Sequence, residues 1–169
     1  MKNIFLRPRT IDTVKIFWEK TQDETLEKLF PFYRTTLDEA IEMYYETLKP
    51  NSRSYGQVIY VDETYIGDVW CYSIDEINEK QAFISIVIFD KLYWGKGIGK
   101  YVLKTFCNTI FQRYSINKLC AFTYKTNLKS VKALESVGFN IIEEFDEDGV
   151  SSYYLEMINR LISNNQNKN

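Results

Sequence analysis

The period of apolar positions changes several times along the chain, and each change marks an element. IFLRPR (4–9) reads as a short strand, and Thr10 or Asp12 caps a helix over 11–20. The charged stretch from Thr21 to Pro50 reads as one or two helices. It breaks near Pro31 and ends before Pro50, because proline lacks a donor and restricts the residue before it. Thr36 and Glu39 have capping-box spacing, and Ala40, Met43, Tyr44 and Leu48 follow at helical intervals.

GQVIYVDETYIGDVWCYSID (56–75) holds two apolar runs about the turn-like VDETY and reads as a β-hairpin. AFISIVIF (82–89) is almost continuously apolar, which suits a central strand covered on both faces. From Gly97 onward, Ile98, Val102, Leu103, Phe106, Ile110 and Phe111 recur at helical spacing to about residue 113. KLCAFTY (118–124) is a strand, and Asn127 caps a helix that carries Val131, Leu134 and Val137 and stops at Gly138. FNIIEEF and VSSYYLEMI form a terminal hairpin about DEDG (146–149). The order β α α β β β α β α β β predicts an α/β fold, a mixed central sheet with helices on both faces. Residues 1–158 form one domain, and 159–169 are a polar, frayed tail.

Composition narrows the function classes. With 169 residues, 45% hydrophobic and 16% aromatic, the chain can bury one substantial core. Net charge is −2 with lysine and arginine scattered, so no nucleic-acid footprint is predicted. There is no histidine, which excludes histidine-ligated zinc and Ser-His or Cys-His nucleophile pairs, and no metal site is predicted. Cys71, Cys107 and Cys120 lie far apart in apolar runs and read as buried free thiols of a reducing compartment. MKNIFLRPRT is too short in apolar residues for a signal peptide and no segment approaches a span, so a cytoplasmic protein without membrane partners is predicted.

YWGKGIGK (93–100) packs three of the chain's seven glycines into five positions between a strand and a helix. A dinucleotide fingerprint would need glycine where Lys100 stands. A P-loop would need glycine at Trp94 and Ser or Thr at Tyr101. The third reading is a pyrophosphate cradle at a helix N-terminus, with bared N–H groups at Gly95, Gly97 and Gly99 and with Lys96 and Lys100 adding charge.

YWGKGIG (93–99), N-L-K-S (127–130) and ALESVGF (133–139), in that order, resemble the GNAT superfamily of acyl-CoA N-acyltransferases. Within it the chain is most similar to the ribosomal-protein N-terminal acetyltransferase branch and its relatives, which the opening LRPRTIDTVKIFWE also suits. The resemblance implies the GNAT fold and acetyl-CoA as co-substrate. It places the coenzyme pyrophosphate on the N–H groups of Gly95, Lys96, Gly97, Ile98, Gly99 and Lys100, with Trp94 at a position where the family has Gln or Arg. It assigns the pantetheine arm to the backbone of Val87 and Phe89, and adds contacts from Asn127 and Ser130.

The usual acid/base positions of the family depart from the pattern. They fall on Ile84, Phe122 and Leu134, all apolar. Tyr124, on the strand face of Phe122, and Asp68, mid-strand in IGDVWCY, are the substitutes. The family's acceptor region falls on Trp18, Glu19, Asp23, Glu24 and Glu27 and on Phe30, Phe32 and Tyr33, acidic and aromatic residues that suit a cationic amine. The function implied is acetyl transfer to a primary amine of a polyamine, an aminoglycoside or a peptide amino terminus. The alternative is an acyl-CoA-binding module with impaired catalysis. The resemblance also leaves room for a homodimer.

Overall fold

The computed structural model describes residues 3–30 and 35–160. The expected break near Pro31 and most of the expected tail lie outside these residues. Within them, β1 (Ile4–Pro8) leads to α1 (Ile11–Lys20), a four-residue α2 (Glu24–Glu27) and α3 (Leu37–Thr47). Thr10 caps α1 in a reciprocal box with Thr13, and Thr36 caps α3 with Glu39, so both helices begin at the predicted residues.

The hairpin β2 (Tyr55–Val61) and β3 (Thr64–Asp75) turns at Asp62, which has φ +53°. β4 (Gln81–Ile88) leads through a 3₁₀ turn (Lys91–Tyr93) to α4 (Ile98–Arg113), then β5 (Lys118–Tyr124) and α5 (Leu128–Val137). The terminal hairpin is β6 (Asn140–Glu147) with β7 (Val150–Ile158). Asn159, at the expected domain edge, is buried and donates from its side chain to the Ile116 carbonyl at 3.0 Å.

All seven strands form one sheet in the order β1-β2-β3-β4-β5-β7-β6. Only β4 and β5 are parallel, and they pair over just three positions, Gln81–Phe83 with Lys118–Cys120, before parting. Alternation assigns the two faces. Ile84, Leu119, Ala121 and Leu155 join Val102, Leu103, Phe106 and Ile110 of α4 in the main core. On the other face, Phe17 of α1 meets Trp70 and Phe89 edge-on at 5.9 and 6.3 Å. β4 is therefore covered less completely than its apolar run predicts. Ala82, Ile84 and Val87 are buried, whereas Phe83, Ile86 and Ile88 are partly open.

β3 and β4 approach closely at Gly67. A Cβ there would lie 2.1 Å from the Val87 carbonyl oxygen, so only glycine fits. Cys71, Cys107 and Cys120 are buried and free, and burial pushes the Cys71 thiol up to about 12.

Candidate active site

The parting of β4 and β5 opens a cleft of about 360 Å³. Its floor is Ile86 and Ile88 of β4 with Leu103 of α4. One wall is the N-terminal half of α5, with Asn127, Lys129 and Ser130, and the other includes Leu29 and Phe30. At its mouth lie Trp94, Gly95, Gly97, Ile98, Gly99 and Lys100.

The glycine loop is built for backbone exposure. Gly95 and Gly97 have φ +71° and +76°, and a Cβ on either would meet nothing within 4 Å. Packing therefore does not demand these glycines; left-handed backbone beside open space does. Gly97 is the N-cap of α4 and supplies no side-chain cap, whereas α1, α3 and α5 are capped by Thr10, Thr36 and Asn127. The longest helix thus presents its first N–H groups and positive dipole end to the cleft. Trp94 fixes the loop by donating Nε1–H to the Ile88 carbonyl at 2.7 Å, with the Lys129 ammonium 4.7 Å from its ring centroid. Lys132 also lines the cleft, and the donor set fits an anion such as the pyrophosphate of coenzyme A. Among the described residues no cluster of metal-ligating side chains occurs.

Of the residues predicted from sequence, Trp94, Gly95, Gly97, Ile98, Gly99, Lys100, Asn127 and Ser130 come together along this cleft. Lys96 is exposed on the same loop, its ammonium 5.7 Å from the Tyr93 ring centroid, and is not part of the lining. Val87 and Phe89 are a correction. The Phe89 N–H is spent on the Ile66 carbonyl at 3.0 Å, and Val87 sits opposite Asp68 of β3. By alternation the backbone groups of Ile86 and Ile88 point away from β3, toward the gap. The Trp94 contact with the Ile88 carbonyl agrees with that direction.

Asn127 does more than line the wall. Its Oδ1 accepts from the Ser130 N–H at 3.2 Å and its Nδ2 donates to the Leu29 carbonyl at 3.3 Å. One side chain thus begins α5 and ties the opposite wall to it.

The two residues predicted for proton transfer lie outside the cleft lining. Asp68 is 2% exposed beneath α1, where it accepts from Arg9 Nε at 2.9 Å and from the Tyr65 hydroxyl at 2.5 Å. Burial raises its carboxyl against the pull of Arg9 and Tyr65. Engaged on both sides, Asp68 clamps β3 to the end of β1 and is not free to take a substrate proton. Tyr124 is half-buried opposite Ser152 at the end of β5, and burial, then the Glu147 charge, raise its phenol.

Ile84 and Leu134 are core residues, 3% and 4% exposed, whereas Phe122 lies on the opposite face and is 45% exposed. In the expected acceptor region, Asp23 is occupied twice, capping α2 and pairing with Lys91 at 3.0 Å. Trp18 donates to the Thr35 carbonyl at 2.8 Å, Glu19 and Glu24 are exposed, and Phe30 lines the cleft. Phe32 and Tyr33 lie outside the described residues. The sequence reading missed Ile86, Ile88, Leu29, Lys129 and Lys132; the pattern Lys-x-x-Lys on one face of α5 was the available signal for the last two.

Comparison with known proteins agrees with this geometry. The family model described as acetyltransferase (GNAT) domain matches residues 3–140. No curated protein sequence matches. Among solved structures, the chain is similar to aminoglycoside acetyltransferase AAC(6')-Ib in complex with coenzyme A. The two are 15% identical with TM-score 0.78, over 97% of this chain and 99% of that one. It is also similar to spermidine N-acetyltransferase from Vibrio cholerae in complex with CoA and spermine, 18% identical with TM-score 0.78, over 92% and 95% of the two chains. A domain from Methanocaldococcus jannaschii matches at 18% identity and TM-score 0.78, over 94% and 100%. At such identities these likenesses speak for the fold. The family match covers most of the chain: it belongs to the GNAT acetyltransferase family, whose acetyl donor is acetyl-CoA.

Proposed function

We propose that the protein N-acetylates a primary amine by direct transfer from acetyl-CoA in a ternary complex. The acceptor is a small cationic molecule, such as a polyamine or an aminoglycoside, or a peptide amino terminus. The observation that carries this reading is the cleft between β4 and β5, closed at its mouth by an uncapped helix N-terminus and two left-handed glycines. Both similar enzymes with named substrates act, by those names, on amines.

Bound acetyl-CoA supplies an acetyl thioester. The N–H groups from Gly95 to Lys100 hold the pyrophosphate, with Lys96, Lys100, Lys129 and Lys132 balancing its charge. The backbone of Ile86 and Ile88, unpaired by β5, receives the extended arm as an added strand. The ammonium first gives up one proton to water to free its lone pair; the N–C bond then forms as the C–S bond breaks, and the second proton lost by nitrogen matches the one gained by sulfur. Tyr124, at the end of β5 beyond the point where the strands part, is the phenol that would protonate a leaving thiolate. With apolar side chains at Ile84, Phe122 and Leu134, water relays the amine proton.

Acetyl-CoA-dependent release of free thiol over a panel of amines tests the reading. Turnover with an amine is the expected result. Tight acetyl-CoA binding with no turnover on a wide panel would overturn it in favour of a binding module.

A further inference from the structure

From β3 onward, the sheet face that carries α1 and α3 bears a continuous aromatic shelf. Tyr72 stacks on Phe83, with centroids 5.6 Å apart and planes at 26°. Phe83 stacks on Phe122 at 5.4 Å and 12°. Phe122 in turn meets Tyr154 at 5.3 Å and Phe145 edge-on at 5.8 Å. Five strands contribute one ring each, and the hub, Phe122, is 45% exposed. Water on so many contiguous rings is unfavourable, and such a patch marks a binding surface.

Position links the shelf to the cleft. Phe83 is the last residue of β4 paired with β5, opposite Cys120. The Phe83–Phe122 stack therefore straddles the point where the strands part, at the end of β4 away from the glycine loop. At its centre the charge is paired, since Glu156 meets Lys118 at 2.5 Å and accepts from the Tyr154 hydroxyl at 2.6 Å, while the exposed Glu143 and Glu147 of this face lie at its rim on β6, two strands from β5. A polycation finds no unpaired carboxylate at the centre of this shelf, whereas a flat ring finds two nearly coplanar rings to lie on.

We propose that the acceptor is an arylalkyl primary amine, its ring on Phe83 and Phe122 and its nitrogen at the parting of β4 and β5. This rests on the N-acetyltransferase reading above and narrows its acceptor class. Phe122 acts as a specificity residue, and the acidic residues around α2 do not select the substrate.

The test compares 2-phenylethylamine with spermidine on the full-length chain. Calorimetric titration into CoA-saturated protein reads binding, and thiol release reads turnover. The expected result is a preference for 2-phenylethylamine of about tenfold or more, which Phe122→Ser removes and Phe122→Leu lowers in part, at unchanged acetyl-CoA affinity. Preference for spermidine, insensitive to Phe122, would overturn the proposal while leaving the N-acetyltransferase reading intact. Phe122-dependent binding of 2-phenylethylamine without turnover of any amine would support the shelf and overturn that reading instead. A dimer dissolved by Phe122→Ser, with no binding of 2-phenylethylamine, would overturn the proposal by assigning the shelf to a second copy. A Phe-initiated tripeptide that outcompetes 2-phenylethylamine would overturn it in favour of a peptide terminus.

Discussion

Gly97 stands at φ +76° beside open space, and its two properties predict separable effects. Any side chain there pays the left-handed penalty of about 1–2 kcal/mol per residue. Only a long one fills the cradle. Gly97→Ala and Gly97→Glu should therefore lose similar stability, about 2–4 °C in Tm for each kcal/mol. Gly97→Glu alone should cost about a hundredfold or more in acetyl-CoA affinity, because its carboxylate would occupy the proposed phosphate position. Calorimetric titration on the folded variants checks this. Gly67 differs: its Cβ would strike the Val87 carbonyl, so Gly67→Ala should destabilise by about 3 kcal/mol in denaturant unfolding, the upper range for overpacking. The sequence pointed to Gly97, since three alternating glycines between a strand and a helix suggest a backbone bared for a ligand. It gave no such sign for Gly67, because a lone strand glycine has several meanings and its close neighbour lies on β4.

At the scale of elements, Asn127 joins the two walls of the cleft, α5 and the segment around Leu29. Asn127→Asp keeps an acceptor for the Ser130 N–H but loses the donor to Leu29. Asn127→Ala loses both. Hydrogen exchange should quicken at residues 26–30 in both variants, whereas only Asn127→Ala should lose the cap contribution of about 1 kcal/mol. Unchanged exchange at Leu29 in both would mean that the wall is held by other contacts. Strands, long helices and caps were legible because each carries its own period or capping residue. Two helices, α2 and α3, fill the stretch where the sequence allows one or two, because the four residues of α2 hold barely one helical repeat. The β4 backbone groups that face the gap, those of Ile86 and Ile88, lie one position from the Val87 and Phe89 expected. A slip of one along a strand reverses every backbone direction, and the β3–β4 pairing, with the Phe89 to Ile66 bond at its end, sets the register. The aromatic shelf was invisible for another reason. Tyr72, Phe83, Phe122, Phe145 and Tyr154 meet only because β5 pairs with β7 and not with β6.

Across the described residues, α4 and α5 cover one sheet face, while helices cover the other at β1–β3 and leave its rings beyond partly exposed. Stability on the open side depends on paired charges as well as on packing, which makes it sensitive to pH. The Lys118 ammonium first, then the Tyr154 hydroxyl, hold the Glu156 carboxyl below its ordinary value of 4.5. A depressed carboxyl stabilises the fold above its unfolded value, and that contribution is lost as pH falls through the folded one. Lys118 is raised above 10.5, mainly by its bond to Glu156, so its share is present below that value and fades as pH rises through the folded one. Glu156→Gln keeps an acceptor for Tyr154 and removes the charge. With the pair worth about 1 kcal/mol, the variant should melt about 2–4 °C below the parent near neutrality. The difference should close on the acid side, at pH below the ordinary carboxyl value of 4.5, and again on the alkaline side, above the ordinary lysine value of 10.5, where one partner is neutral in the parent too. Asp68, raised by burial, has the opposite pH slope, but it is present in both proteins and cancels in the comparison. Thermal melts of the two proteins across pH decide the matter: a gap independent of pH would mean that Glu156 acts through packing and not through its charge.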